Sequence, residues 1–360
     1  MSSISCGIVG LPNVGKSTLF NSLTKASVLA ANYPFATIEP NVGIVAVPDK
    51  RLGRLARLFN TTKIVPASIR FVDIAGLVAG ASKGEGLGNQ FLSHIRNVSV
   101  IIEVVRAFTD SQVVHVNESI DAHRDISTIT TELALSDLGT LTRHLAKLDK
   151  EIKANPKLKP QGEIVNKALA ILDETRPLYH ALSEEELESL SDLGLLTAKP
   201  IIYSFNVDEA DLVNQAKLDS LSTLVSPAPS MFVCAKLESE FSALEDYDAA
   251  ELRESYGVNK SGLETLVTLS FKTLGLQTFL TAGEKEVRAW TIKAGSSAKV
   301  AAGAIHSDME RGFIAADIVN YSDLISLGSW SRARAAGKVR TEGKDYIMQD
   351  DDIVEFKFNV

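Results

Sequence analysis

The chain's 360 residues are 45% hydrophobic and 23% charged, which suits two or three globular domains and excludes a disordered or fibrous chain. No run approaches the roughly 18 consecutive apolar residues of a membrane span, and Met1-Ser2-Ser3 enters a strand pattern without a basic leader, so a cytoplasmic protein without a membrane partner is expected. The net charge of −8 is uneven, +6 over residues 1–100, −13 over 101–276 and −1 over 277–360. A basic first third suits a polyanionic ligand, and the acidic middle suits a solvated helical surface.

Short apolar runs recur at Ile4–Val9, Val42–Val47, Ile69–Ile74, Val100–Val105, Ile201–Phe205 and Met231–Cys234. Runs of this length mark strands buried on both faces of a mostly parallel sheet, which predicts a doubly wound α/β domain. Cys6 and Cys234 fall in two of them, far apart in sequence, and read as buried reduced thiols. Between the fourth and fifth runs the pattern turns helical. Leu138, Leu141, Leu145, Leu148 and Ile152 make one seam; after a turn at Asn155–Pro160, Ile164, Ala168, Ile171, Thr175, Leu178 and Leu182 make another. The spacing predicts two antiparallel helices packed as a coiled coil, the second ending near Arg176 because Pro177 follows. Ser183 with Glu186 is a capping-box signature for a third helix over Glu184–Leu190. After about Leu276, strand patterns at Val287–Ile292, Gly312–Ile318 and Ile353–Phe358 predict a small α+β module. The expected division is residues 1–131 with 198–276, an inserted helical domain at 132–197, and a C-terminal module at 277–360.

Chemistry enters with Gly10-Leu11-Pro12-Asn13-Val14-Gly15-Lys16-Ser17, a complete G-x-x-x-x-G-K-S between a strand pattern and a helix pattern. The glycines let successive backbone N–H groups of Asn13, Val14, Gly15, Lys16, Ser17 and Thr18 curl around phosphates ahead of a helix N-terminus. Lys16 is placed to reach the β and γ phosphates, and the Ser17 hydroxyl to bind Mg²⁺. Asp73-Ile74-Ala75-Gly76 ends the third predicted strand, where an aspartate holds Mg²⁺ through water and the glycine N–H meets the γ phosphate. Leu77 stands where Ras-like proteins carry the glutamine that orients the attacking water, so hydrolysis is very slow or another group acts. Gly80, Gly84, Gly86 and Gly88 then punctuate a loop expected to order around a γ phosphate. Thr37 is the natural second Mg²⁺ ligand, although an ordinary loop threonine would look the same.

The base-reading element of GTPases, N-K-x-D, is replaced by Asn206-Val207-Asp208-Glu209, followed on the next loop by Cys234-Ala235-Lys236. Glu209 is one methylene longer than aspartate, which spoils a bidentate contact to guanine whose hydrogen bonds are each worth about 1.5–3 kcal/mol. Guanine preference should therefore fall by about tenfold or more, while adenine loses little.

With these residues in view, the chain resembles the YchF family, the Obg-like ATPases of the TRAFAC class of P-loop proteins. The likeness runs almost the whole length, through Gly10–Thr18, Asn32–Asn41, Asp73–Phe91, Asn206–Glu209 and a C-terminal segment typical of a TGS domain, a β-grasp fold. The resemblance implies an ATPase with an inserted coiled coil and a TGS domain, in association with ribosomes. It also implies that a histidine after the fourth strand, here His115, stands in for the missing glutamine. Asn13 matches a position that ligates a monovalent cation in some glutamine-less P-loop proteins, which makes K⁺ a candidate cofactor beside Mg²⁺. In the C-terminal module Arg332, Arg334, Lys338, Arg340 and Lys344 cluster with one acid, Glu342, and either dock on rRNA phosphates or form a solvated face. The expected partners are ATP and ribosomal subunits through rRNA or ribosomal protein, with no sequence-specific DNA. A GTP-specific Obg-type enzyme, and an ATP-gated adaptor whose hydrolysis is incidental, are the competing readings.

Overall fold

The computed structural model describes residues 4–28, 41–74, 87–109, 120–258 and 260–359. The chain divides into two units, Met1–Val45 with Arg70–Leu266, and Ala46–Ile69 with Val267–Val360. The excursion of Ala46–Ile69 into the second unit is absent from the three-part division expected above.

In chain order the elements are strand β1 (Ser5–Val9), helix α1 (Lys16–Val28), β2 (Val42–Ala46), α2 (Lys50–Leu58), β3 (Ile64–Val65), β4 (Ser68–Asp73), α3 (Leu87–Arg96), β5 (Val100–Arg106), α4 (Ala122–Ala154), α5 (Lys159–Asp173) and α6 (Glu184–Ser189). Strands β6 (Ile201–Asn206), β7 (Ser230–Val233), β8 (Leu276–Ala282), β9 (Val287–Lys293), β10 (Phe313–Asn320), β11 (Arg340–Glu342) and β12 (Asp352–Phe358) follow, with further short helices between them.

The first unit is built on a sheet of order β2-β4-β1-β5-β6-β7. Strands β4, β1, β5, β6 and β7 run parallel. Strands β1, β5 and β6 are buried at every position, as near-continuous apolar runs demand when helices cover both faces. The chain winds outward from β1 in both directions, and ligands of such sheets bind beyond the carboxyl ends of the strands at that switch point. Gly10, Asp73 and Asn206 all lie at those ends. The doubly wound P-loop fold read from the sequence is the fold observed.

The helical segment is one 33-residue helix, α4, returning through a 3₁₀ turn at Pro156–Leu158 into α5. Leu141, Leu148, Val165, Ala168 and Leu172 are buried in a common cluster, with Leu138, Leu145, Ile152, Ile164 and Ile171 packed against it. The expected boundary at residue 132 falls inside α4, which begins at Ala122 and packs on β5. Helix α5 stops at Asp173, earlier than Arg176, because Thr175 turns left-handed (φ 55°) and Arg176 N–H closes on the Ile171 carbonyl. Leu178 and Leu182 still reach the same core from the following turn, so the seam outlasts the helix. The capping box forms as read: Glu186 N–H donates to Ser183 Oγ at 3.3 Å, and Ser183 N–H to Glu186 Oε2 at 2.9 Å.

The second unit carries a mixed sheet of order β11-β10-β12-β8-β9-β3. Strand β8 pairs antiparallel with β9 and parallel with β12, and β10 pairs antiparallel with β11 and β12. Strand β3 joins the edge beside β9. Helix α2 closes one face, with Leu52 and Leu55 buried beside Leu280, Val287 and Ile353. Asp49 caps that helix and also holds Arg51, whose guanidinium reaches Asp351 Oδ1 at 3.1 Å and Thr278 Oγ1 at 3.1 Å. Ala46–Ile69 is thereby fixed within the unit by packing and by charge.

Candidate functional site

Strand β1 delivers the chain into the loop Gly10–Gly15, and Lys16 opens α1. Two positions in the loop need glycine. A Cβ on Gly10 (φ 153°) would sit 2.5 Å from the Val104 carbonyl oxygen, and one on Gly15 (φ 98°) would collide with the Asn206 carboxamide. Asn13 takes a left-handed conformation (φ 62°), which asparagine tolerates. Lys16 is 8% exposed and its ammonium donates to the Leu11 carbonyl at 2.7 Å. Burial pushes that ammonium below its ordinary pKa, and nearby Asp73 partly opposes the shift.

The parallel register Ile8↔Asp73 sets Asp73 beside the loop. Ser17 Oγ donates to Asp73 Oδ2 at 3.3 Å, while Asp73 Oδ1 is buried with no hydrogen-bond partner among the described residues. A hydroxyl and an orphaned carboxylate oxygen side by side are hard oxygen donors that fit Mg²⁺, an ion that takes few protein ligands and completes its shell with water and phosphate. Among the described residues no group of three or more His, Cys, Asp or Glu forms a separate metal cluster.

Asn206 ties the site together. Its Nδ2 donates to the Val14 carbonyl at 2.9 Å, and its Oδ1 accepts from Ala235 N–H at 3.0 Å. Both ends of the carboxamide are therefore used to hold the phosphate loop against the loop after β7. Val207 is buried and donates its N–H to the Val233 carbonyl at 2.9 Å, so it keeps the strand ends in register. Glu209 faces the open cleft, where its Oε1 accepts from Lys236 Nζ at 3.0 Å. Cys234 and Ala235 are buried, and burial, with the Glu209 charge in addition, holds the Cys234 thiol above its ordinary value.

These residues wall a cleft of about 1060 Å³ that includes Asn13, Gly15, Thr18, Asn206, Glu209 and Lys236. The volume matches a mononucleotide-sized ligand site. Among the lining residues that the sequence did not single out are Phe108, Thr109, Ser239 and Glu240, and Asp208 was read only as part of the Asn206–Glu209 stretch. Asp208 Oδ2 accepts from both the N–H and the hydroxyl of Thr109 at 2.9 Å, clamping the base-side loop to the end of β5. Buried Arg106 lies 4.4 Å from the Phe108 ring centroid. The available signal was an arginine and an aromatic just past a buried strand. Thr37, Gly76, Leu77 and His115 lie outside the described residues, as do Gly80, Gly84 and Gly86. Gly88, read as loop, lies in α3.

Comparison with known proteins places this geometry in context. Over 99% of its length the chain is 47% identical to the "Ribosome-binding ATPase YchF" of Bacillus subtilis, covering 100% of that protein. The chain belongs to the YchF family. The protein of the same name from Haemophilus influenzae is also 47% identical, with 99% of each chain covered. A family model described as a 50S ribosome-binding GTPase matches residues 5–167, and the YchF-GTPase_C model, described as a protein of unknown function, matches residues 276–359. Among solved structures, the Schizosaccharomyces pombe YchF GTPase superposes with a TM-score of 0.88 at 39% identity, covering 99% of this chain and 98% of that one. A GTP-binding protein from Pyrococcus horikoshii shares the fold at a TM-score of 0.62 and 20% identity, covering 99% of this chain and 100% of that one. The names of YchF relatives divide between ATPase and GTPase, so the base-reading loop has to decide the nucleotide.

Proposed function

We propose that this YchF-family chain binds ATP with Mg²⁺, hydrolyses it slowly to ADP and phosphate, and uses the bound nucleotide to set its affinity for ribosomal subunits in the cytoplasm. The observation that carries the ATP assignment is the Glu209–Lys236 pair at 3.0 Å. Reading guanine requires a carboxylate that accepts from N1–H and the exocyclic amine together, and Glu209 has one oxygen already engaged. Lys236 is largely exposed, so the pair adds little to the stability of the fold and its effect is to aim the carboxylate. Adenine presents no paired donors and gives up nothing at this loop.

In this reading backbone N–H groups of Asn13–Thr18, with Gly76 N–H, bind the phosphates. Lys16 leaves the Leu11 carbonyl for the β and γ phosphates, and Ser17, Thr37 and Asp73 hold the metal, Asp73 through water. Bound Mg²⁺ supplies electrostatic stabilisation of charge on the transferring phosphoryl group. Leu77 offers no hydrogen bond to an attacking water, so turnover falls to His115 and is slow. Asn13 is the residue that would favour K⁺; equal rates in KCl and in a large organic cation would remove K⁺ from the account. The family relatives named for ribosome binding support the partner, and in this reading the unit that carries Gly10–Lys16 and Asn206–Glu209 binds nucleotide while the α4–α5 helices and the second unit meet the ribosome. In the basic cluster, Arg334, Lys338 and Arg340 have acidic partners within the module, which leaves less charge for rRNA.

The test is phosphate release together with co-sedimentation on purified ribosomal subunits, in ADP and in a non-hydrolysable ATP analogue. Slow ATP turnover and a nucleotide-dependent change in sedimentation, both absent in Lys16→Ala, are expected. A change that persists in Lys16→Ala contradicts a nucleotide-controlled switch.

A further inference from the structure

Glu238 is a buried acid that neither the phosphate loop nor the metal site uses. It lies on the short helix Ala235–Phe241, which begins inside the loop Cys234-Ala235-Lys236 and packs on α1. Leu237 and Phe241 bury the apolar side of that helix in a cluster with Cys234. The Glu238 carboxyl is turned instead to the start of the helix Gly262–Thr273. Its Oε1 accepts from Gly262 N–H at 2.6 Å and its Oε2 from Ser261 Oγ at 2.8 Å, while Ser261 Oγ accepts in turn from Leu263 N–H at 3.1 Å. A helix leaves its first N–H groups without intrahelical partners, and a buried helix start must find acceptors elsewhere. Here a side chain of another helix supplies one of them.

The joint also needs a glycine. A Cβ on Gly262 would sit 2.9 Å from Val233 Cγ2 and 3.0 Å from Glu238 Oε1. The Gly262 helix is thus seated against the last residue of β7 and against Glu238, and the base-reading loop Cys234–Lys236 lies in the chain between those two contacts. On the cleft side the loop is held by Asn206 Oδ1, which accepts from Ala235 N–H at 3.0 Å, and by Glu209, which accepts from Lys236 at 3.0 Å. Burial pushes the Glu238 carboxyl above its ordinary pKa, against the opposing hydrogen bonds of Ser261 and Gly262. A neutral amide of the same length therefore fits the site, with its oxygen on Gly262 N–H and its NH₂ on Ser261 Oγ.

We propose that Glu238 is a positioning residue for nucleotide selection: through Ser261 and Gly262 it holds the loop Cys234–Lys236 where Ala235 meets Asn206 and Lys236 engages Glu209. The proposal rests on the assignment of base preference to the Glu209–Lys236 pair. When the joint is released the loop shifts, the base of ATP loses that wall of the cleft, and Glu209 regains a free oxygen for guanine. Adenine affinity falls while guanine affinity is partly made good.

The test is equilibrium affinity for Mg²⁺–ATP and Mg²⁺–GTP in the full chain and in Glu238→Ala, Gly262→Ala and Glu238→Gln, with thermal unfolding of each. Glu238→Ala removes both acceptors; Gly262→Ala adds one methyl and forces Val233 or Glu238 aside, and it decides the matter if Glu238→Ala does not fold. In both alanine variants the ratio of ATP to GTP affinity should fall about fivefold or more, the size of one lost hydrogen bond. Glu238→Gln should keep that ratio within about twofold of wild type. A merely structural role lowers the melting temperature and weakens both nucleotides by the same factor. An unchanged ratio in the alanine variants therefore overturns the proposal, and so does a ratio that falls as far in Glu238→Gln as in Glu238→Ala. A wild type that prefers GTP removes the ATP assignment alone; the joint is then judged on the same ratio, which must still change about fivefold.

Discussion

Replacing Asn206 by alanine should loosen the nucleotide site without touching the groups placed on the phosphates and the metal. The carboxamide makes two buried hydrogen bonds, to the Val14 carbonyl at 2.9 Å and from Ala235 N–H at 3.0 Å. Each is worth about 1 kcal/mol net, and each backbone group left unpaired costs about 1–3 kcal/mol unless water reaches it from the adjoining cleft. With partial rehydration the loss is about 3 kcal/mol of local stability, and to the extent that bound nucleotide needs the two loops held together it lowers Mg²⁺–ATP affinity, by at most about a hundredfold at about 1.4 kcal/mol per tenfold. Asn206→Asp keeps the acceptor for Ala235 but sets a carboxylate against the Val14 carbonyl, and should lose at least as much. Isothermal titration with ATP and ADP reads the effect, and thermal unfolding separates it from global destabilisation. Affinity within threefold of wild type in both variants would refute the bridging role.

Asp137 is fully buried on α4 and accepts from Leu196 N–H at 3.0 Å, Thr197 N–H at 2.8 Å and Thr197 Oγ1 at 2.7 Å; Asp137→Ala should cost about 3 kcal/mol in urea unfolding, with Asp137→Asn intermediate. Glu103 sits buried in β5, where burial first and Asp125 second hold its carboxyl well above the usual range. Its folded pKa is raised, so the wild type loses stability as pH climbs above the unfolded value of about 4.3. Glu103→Gln should therefore raise the melting temperature more at pH 8 than at pH 5; an equal gain at both would place the proton elsewhere. Chelating Mg²⁺ should weaken ATP binding and stop turnover, and Asp73→Asn should raise the Mg²⁺ requirement about tenfold while leaving metal-free ADP binding unchanged.

Much of the nucleotide unit was legible because its signals are local. Apolar runs place β1, β2, β4, β5, β6 and β7 within two residues, although β2, β4 and β7 alternate rather than being buried on both faces, and the seam from Leu138 to Ile152 gives α4 its buried face. The phosphate loop is read from spacing alone, since Gly10 and Gly15 are forced by backbone shape. What escaped is long-range. Strand β3 has two residues and exists only by pairing with β9, more than two hundred positions away, so Ala46–Ile69 gave no sign of its place in the second unit. Strand β8 alternates poorly because both of its faces are covered, Phe279 packing in one core cluster and Leu280 in another. The Glu209–Lys236 pair and the Thr109–Asp208 clamp join loops from different strand ends, and no spacing rule foretells them. Helix α5 was read too long because Leu178 and Leu182 keep the periodicity after the backbone has left the helix.

The base-reading loop is tested most directly by equilibrium affinities for ATP and GTP, with Mg²⁺ and K⁺ present, on the wild type and on Glu209→Asp. Tighter binding of ATP by the wild type, with guanine affinity rising in the shorter carboxylate, is the predicted result. A wild type that prefers GTP would contradict the ATP assignment and make this YchF-family chain a guanine-nucleotide switch.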